Sequence, residues 1–166
     1  YFNGTQKLAM PFAYLSNQTA MTRFVAHRAD SLANTGYALG AGAGTSTTIL
    51  GGFRVSSDFQ YRARRVEADA QLQIDMPNFM ENNVSVFRAN YDTGIVFARN
   101  NGGQSANQIL GSIGTLGNHT YSWVGSLGSS GQFGYIGRIY GVIDVADTIT
   151  PENIGTVEAY LQELMA

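Results

Sequence analysis

The chain has 166 residues, enough to bury one full core, and a single domain over residues 1–166 is expected. Ten basic and 12 acidic residues leave a net charge of −2, so no long-range field attracts nucleic acid or an anionic membrane. With no cysteine and two histidines far apart, the sequence excludes a disulfide scaffold and a thiolate metal site and disfavours a His-rich zinc site; no run reaches the roughly 18 apolar residues of a membrane span.

Charged residues make up 13% of the chain, well below the roughly 25% of ordinary globular proteins. Twenty glycines and 18 Phe and Tyr residues point instead to many turns and many strands. The chain opens with Tyr1 and not Met, as an excised or processed piece of a longer protein would, and Phe2-Asn3-Gly4 leads into Leu8-Ala9-Met10-Pro11. Thr22 to Arg28 reads as a half-buried strand, with Phe24 and Ala26 on one face and Arg23, Val25 and His27 on the other. The glycine-dense stretch from Gly36 to Gly44 predicts a short strand, Tyr37-Ala38-Leu39, and then a flexible loop before Thr47-Thr48-Ile49-Leu50.

From Phe59 to Arg64 the alternation is strict: Phe59, Tyr61 and Ala63 share one face, Gln60, Arg62 and Arg64 the other. Gln71 to Met76 repeats it, with Leu72, Ile74 and Met76 inward and Gln71, Gln73 and Asp75 outward, so the two runs are expected to be hairpin neighbours. Val84 to Tyr91 and Ile95 to Asn100 flank Asp92-Thr93-Gly94, where glycine supplies the positive φ of a tight hairpin turn. After a polar, Gly-rich stretch, Thr120 to Gly125 predicts a strand carrying Trp123, and Phe133 to Asp144 a Gly-rich strand pair.

A helix closes the chain. Thr150 is placed to cap it, Pro151 stands at the first helical position where its missing N–H costs nothing, and Glu152 complements the positive end of the dipole. Ile154, Val157, Leu161 and Leu164 fall on one face, with Glu158, Gln162 and Glu163 elsewhere, so the helix is expected to pack against the sandwich edge. Many short strands with turns between them and one helix predict an all-β fold: a two-sheet antiparallel jelly-roll sandwich with one C-terminal amphipathic helix.

The two ends carry a resemblance. Gly137, Arg138, Ile139, Val142 and Ile143, followed by Val157, Glu158, Ala159, Tyr160 and Leu161, together with Phe2-Asn3-Gly4 at the start, resemble the signature of the concanavalin A-like (LamG-like) lectin/glucanase superfamily as found in phage virion and bacterial surface proteins. The resemblance implies a lectin-like, non-catalytic carbohydrate-binding domain of a phage tail, fibre or head appendage or of a bacterial surface protein, recognising host surface polysaccharide. A virion, extracellular or cell-surface location follows from it. The alternative is a structural decoration or assembly domain whose partners are other virion or surface-protein subunits.

A glycoside hydrolase is the third reading. The glucanases of this superfamily need acidic residues alternating on a strand, because two carboxylates must flank the bond. Glu67-Ala68-Asp69 imitates the first half of that pattern, yet Gln71 and Leu72 stand where the second Glu would fall, so it reads as a charged turn. A Ser/His/Asp set drawn with His27 or His119 lacks any nucleophile-elbow context. Calcium is conceivable through Asp30, Asp58 and Asp92, although no Asp-x-Asp spacing gathers them; no other cofactor is expected. Asn3, Asn17, Asn83 and Asn118 each begin an Asn-x-Ser/Thr tripeptide, mostly by chance in a chain this rich in Asn, Ser and Thr.

For sugar binding, the candidate surface is the outward face of the hairpin, Gln60, Arg62 and Arg64 beside Gln71, Gln73 and Asp75, with Tyr121 and Trp123 as apolar platforms. Amides, guanidinium forks and carboxylates hydrogen-bond sugar hydroxyls in pairs, and aromatic rings stack on the apolar face of a sugar.

Overall fold

The computed structural model describes residues 1–10, 15–31, 35–43, 48–55, 59–76, 80–105, 107–117, 121–126 and 134–166, and the side chains of all of these except 43, 48–51 and 121. Its elements in chain order are β1 (Phe2–Asn3), β2 (Leu8–Met10), β3 (Ala20–Ala29), β4 (Gly36–Ala43), β5 (Thr48–Val55), β6 (Phe59–Ala63), β7 (Leu72–Met76), β8 (Asn83–Asn90), β9 (Ile95–Asn100), β10 (Gly103–Gln104), β11 (Gln108–Ile109), β12 (Tyr121–Val124), β13 (Ile136–Val145) and α1 (Pro151–Glu163).

Every named strand pair is antiparallel, and the strands form two sheets. One runs β1-β13-β3-β8-β9-β10 with β11 also on β9, and the other runs β2-β12-β4-β5-β6-β7. The expected jelly-roll sandwich with a C-terminal helix is the observed fold. Between the sheets lies a core that includes Val25, Leu39, Phe53, Phe59, Tyr61 and Phe87. Phe53 and Tyr61 meet edge to face with centroids 5.0 Å apart, and Phe59 and Tyr61 do so at 5.3 Å. Burying each such ring is worth roughly 1.5–3 kcal/mol before ordering costs.

The hairpins are where alternation and turn chemistry put them. β6 and β7 pair in register from Phe59↔Met76 to Ala63↔Leu72, and β8 and β9 turn over at Gly94, whose φ is 73°. Thr150 caps α1 by accepting from the Asn153 backbone N–H at 3.2 Å.

Four expectations are corrected. The last segment is not a strand pair: Ile136 to Val145 is one ten-residue strand lying between β1 and β3, with an irregularity between Ile139 and Gly141 that absorbs its glycines. The glycine-dense run is not a short strand and loop either; β4 extends to Ala43, because its glycines pair in the ladder as well as any residue and lack only a side-chain period. β3 is not half-buried but buried on both faces, since Phe24 and Ala26 turn outward under α1 while Met21 and Val25 turn into the core. Finally, α1 covers the outer face of the seven-stranded sheet and not its edge, with Ile154 and Leu161 packed on Phe24, Ala26, Val84, Val86 and Phe97. In that packing Leu164 is exposed and Glu158 is buried, its carboxylate held by Arg99 at 2.7 Å.

The two ends that carry the resemblance meet in space. Phe2 pairs with Gly137 and Asn3 with Ile136, and the Gly4 N–H donates to the Tyr135 carbonyl at 2.9 Å. A Cβ on Gly137, whose φ is 150°, would collide with the Arg28 carbonyl oxygen, so that strand meets its neighbour only with glycine there. Phe133 and His119 lie outside the described residues.

Candidate functional site

Pairing register assembles two rows of residues on the outer face of the six-stranded sheet. The first row is Tyr37, Arg54, Gln60 and Asp75 on β4, β5, β6 and β7. The second is Trp123, Gly40, Gly52, Arg62 and Gln73, running from β12 to β7. Strands lie about 4.8 Å apart, so two consecutive glycines leave a side-chain-free strip between Trp123 and Arg62, whose strands are roughly 14 Å apart. Both glycines are buried, so the row sets an indole and a guanidinium on either side of a backbone floor without forming an open groove.

The Arg62 side is cross-braced. Arg62 donates to Gln71 Oε1 at 3.1 Å, to Gln73 Oε1 at 2.9 Å and to Gln60 Oε1 at 3.2 Å, and also bonds the Tyr37 hydroxyl. Arg54 donates to Gln60 Oε1 at 2.6 Å and to Thr35 Oγ1 at 3.1 Å, and the Gln73 amide donates to Asp75 at 2.8 Å. Such forks hold long side chains in one geometry, so less freedom is lost when a ligand arrives. On the opposite side, the Lys7 ammonium sits 5.1 Å from the centre of the half-buried Trp123 ring.

Burial, first, holds the Arg62 guanidinium below its ordinary pKa, and the neighbouring Arg54 charge adds to that; Tyr37 and Asp75 oppose it. Among the described residues, two guanidiniums therefore share this surface with the single carboxylate of Asp75, and an arriving anion would be attracted. Two further donors stand out: Arg62 Nε and Trp123 Nε1 are buried and have no hydrogen-bond partner. Orphaned buried donors are uncommon and call for a reason. These two stand in one row, on either side of the buried Gly40 and Gly52.

Of the residues picked from the sequence, Gln60, Arg62, Gln71, Gln73 and Asp75 come together, and Trp123 faces them across the glycines. Arg64 departs: it lies beyond the end of β6 and donates to the Glu67 carbonyl in the following turn at 2.9 Å. Tyr121 starts β12, and its side chain lies outside the described residues. Sequence reasoning missed Arg54, Tyr37 and the glycine floor. The Gly52-Phe53-Arg54-Val55 alternation was a usable signal, with Phe53 and Val55 in the core and Arg54 outward.

The other candidate chemistries find little support. His27 Nε2 lies 3.0 Å from Ser85 Oγ, but both residues are buried, and the partner of Nδ1 is the Tyr135 hydroxyl at 2.9 Å and not a carboxylate. Burial drives the His27 pKa down to about 3, leaving a poor base that no substrate reaches. Asp69 is consumed by its turn, accepting from Ser112 and the Val66 N–H and facing Arg65 at 3.8 Å. Asp30 pairs with Arg28 at 3.3 Å, and Asp58 lies outside the described residues. No three His, Asp or Glu side chains gather into a metal-binding group among the described residues. Asn83 is buried, which bars a glycan there.

No sequence-family model matches the chain, and no curated protein matches it in sequence. Solved structures do match its fold. The NanB sialidase of Streptococcus pneumoniae aligns with a TM-score of 0.77 at 10% identity, over 94% of this chain and 27% of the sialidase, so the chain spans about a quarter of that enzyme. The CBM40 of the Ruminococcus gnavus IT-sialidase, solved with α2,3-sialyllactose, aligns with a TM-score of 0.73 at 13% identity over 88% of this chain and 86% of that one. Domains LG4-5 of the mouse laminin α1 chain align at 0.67 and 11% identity, over 90% of this chain and 42% of theirs. The chain thus shares the jelly-roll β-sandwich of these lectin-like modules.

Proposed function

We propose that the chain is a non-catalytic glycan-binding domain, spanning residues 1–166, whose ligand lies on the outer face of the six-stranded sheet, along the row from Trp123 to Arg62, and carries a carboxylate. The observation that carries this reading is the pair of orphaned buried donors, Trp123 Nε1 and Arg62 Nε, on opposite sides of a glycine-floored strip. Sugar hydroxyls can accept from the braced guanidiniums and amides, an apolar sugar face can rest on the half-buried indole, and the two orphaned donors become available when a ligand displaces what covers them. The carboxylate is inferred from two guanidiniums set, among the described residues, against one Asp. The sialyllactose held by the similarly folded CBM40 belongs to the same chemical class. Our proposed setting is a virion or a bacterial surface, with host surface polysaccharide as the target.

The test is a glycan array carrying sialylated, uronate-containing and neutral glycans, read with the native protein and with Arg62→Ala combined with Gln73→Ala. We expect the double variant to lose at least tenfold in signal with a melting temperature nearly unchanged. An unaltered array pattern would overturn the reading.

A structural assembly role is the second reading, and one observation favours it: Ile109 and Ile113 are 65% and 64% exposed, beside the half-exposed Ile95. Concentration-dependent assembly abolished by Ile109→Ser, in a protein that no polysaccharide gel retards, is the result that would favour it over glycan binding.

A further inference from the structure

The opposite side of the sandwich holds a concave site. A cleft of about 340 Å³ opens where the outer face of the seven-stranded sheet meets the start of α1, lined by Arg88, Asn90, Thr93, Phe97, Gln104 and Pro151, among others. We propose that this cleft is a second glycan subsite, taking one carboxylate-bearing sugar unit, which makes the domain bivalent across its two faces.

Arg88 carries the argument. It stands opposite Phe97 in the β8–β9 ladder, and its guanidinium lies over that ring, 5.3 Å from the centre. That contact anchors the guanidinium where it lines the cleft. Among the described residues Arg88 makes no ion pair: Arg99 takes Glu158, Arg23 takes Asp144, and the neighbouring Asp92 and Glu152 are exposed and bridge to no arginine. The first turn of α1 adds the positive end of a 13-residue helix on the same side. A lone guanidinium beside a helix start selects an anion.

The rest of the lining selects a sugar. Asn90 Oδ1 is taken by the Thr93 N–H at 2.9 Å, which turns the Asn90 amide N–H groups outward as donors. Thr93 Oγ1 accepts from the Ile95 N–H at 3.4 Å, so its own hydroxyl proton is free to donate. Gln104 and Asn107 supply two more amides at the rim, while Ile95, Phe97 and Ile154 provide an apolar floor. The volume is at the small end of ligand sites, roughly 300–1,000 Å³, which fits a single ring and not a folded peptide.

The proposal extends the glycan reading to the second face but stands on different residues, so the two can fail separately. The experiment titrates sodium glucuronate, with methyl glucoside as the neutral counterpart, into protein already carrying Arg62→Ala and Gln73→Ala, and reads backbone amide NMR shifts. Glucuronate is expected to shift the amides of residues 93–97 and 104 saturably, methyl glucoside to bind at least tenfold more weakly, and Arg88→Met to remove the shifts. Gln104→Ala, at an exposed rim position, is expected to weaken binding severalfold and keeps the test alive if Arg88→Met folds poorly. No saturable shift at these residues, shifts that survive Arg88→Met, binding undiminished by Gln104→Ala, or equal binding of the neutral sugar would overturn it. The array result for Arg62 and Gln73 in the otherwise native protein bears on the first face alone.

Discussion

On the seven-stranded sheet the outward residues of β3 and β8 include Phe24, Ala26, Val84 and Val86, and α1 lies on them; on the six-stranded sheet the outward residues of β5, β6 and β7 include Gly52, Arg54, Gln60, Arg62, Gln73 and Asp75, and no helix of the described residues covers them. Both faces come from the same period of two. What separates them is whether a third layer arrives to exclude water. Where it does, the outward positions are apolar and their burial adds stability; on the other face long polar chains brace one another, burying Gln60 and Gly52 while Gln73 and Asp75 stay exposed.

The sharpest way to break this comparison is to cut into the covered face. Leu161, 1% exposed on the inner side of α1, should cost about 2–5 kcal/mol when changed to Ala, whereas Arg62→Ala should stay within about 1 kcal/mol. Urea unfolding of the two variants side by side measures both; a loss below about 1 kcal/mol for Leu161→Ala would mean that the helix is an ornament and not a layer.

A smaller effect probes the dry interior between the faces. His27 is stacked on Phe59 of the other sheet at 4.6 Å, and burial depresses its pKa to about 3. Between that value and the unfolded value near 6.5, the unfolded chain binds a proton that the folded one refuses, so unfolding free energy rises with pH across the window. Stability that is fully present above about pH 6.5 should fall with a slope approaching roughly 1.4 kcal/mol per pH unit as the solution is acidified toward pH 3. His27→Gln should flatten that slope in denaturation curves taken from pH 4 to 7; an unchanged slope would show that water reaches the ring.

The smallest expected effect is a gain. A Cβ at Gly155 meets nothing within 4 Å, so Gly155→Ala should stabilise α1 by up to about 1 kcal/mol, read as a higher melting temperature with glycan binding on the six-stranded face unaltered. A lower melting temperature would show that the exposed side of α1 tolerates less than its open surroundings imply.

Local sequence made part of this molecule legible. The strict alternation of Phe59 to Arg64 and of Gln71 to Met76 identified the polar surface, and Thr150-Pro151-Glu152 fixed the start of the helix, because each signal is complete within a few residues. What stayed hidden depends on partners far along the chain. Glu158 reads as a solvent residue on any helical wheel, and only Arg99, 59 residues earlier, makes its burial tolerable. Trp123 and Arg62 share a row only after β12, β4, β5 and β6 have paired, a fact of register across three ladders. The strand through Gly40 and Gly42 was hard to see for a plainer reason: glycines carry no side chain to show a period.

The placement of β13 has a kinetic consequence. β3 is hydrogen-bonded on one side to β8 and on the other to β13, and Arg23 finds its carboxylate at Asp144, 121 residues downstream. A chain leaving the ribosome must hold β3 with an unpaired edge until β13 has been synthesised, more than a hundred residues later. Loops of that span close slowly, so the seven-stranded layer is completed late, on the millisecond-to-second scale of non-local β topologies, and the interval before closure is when this protein is most open to pairing with the wrong strand.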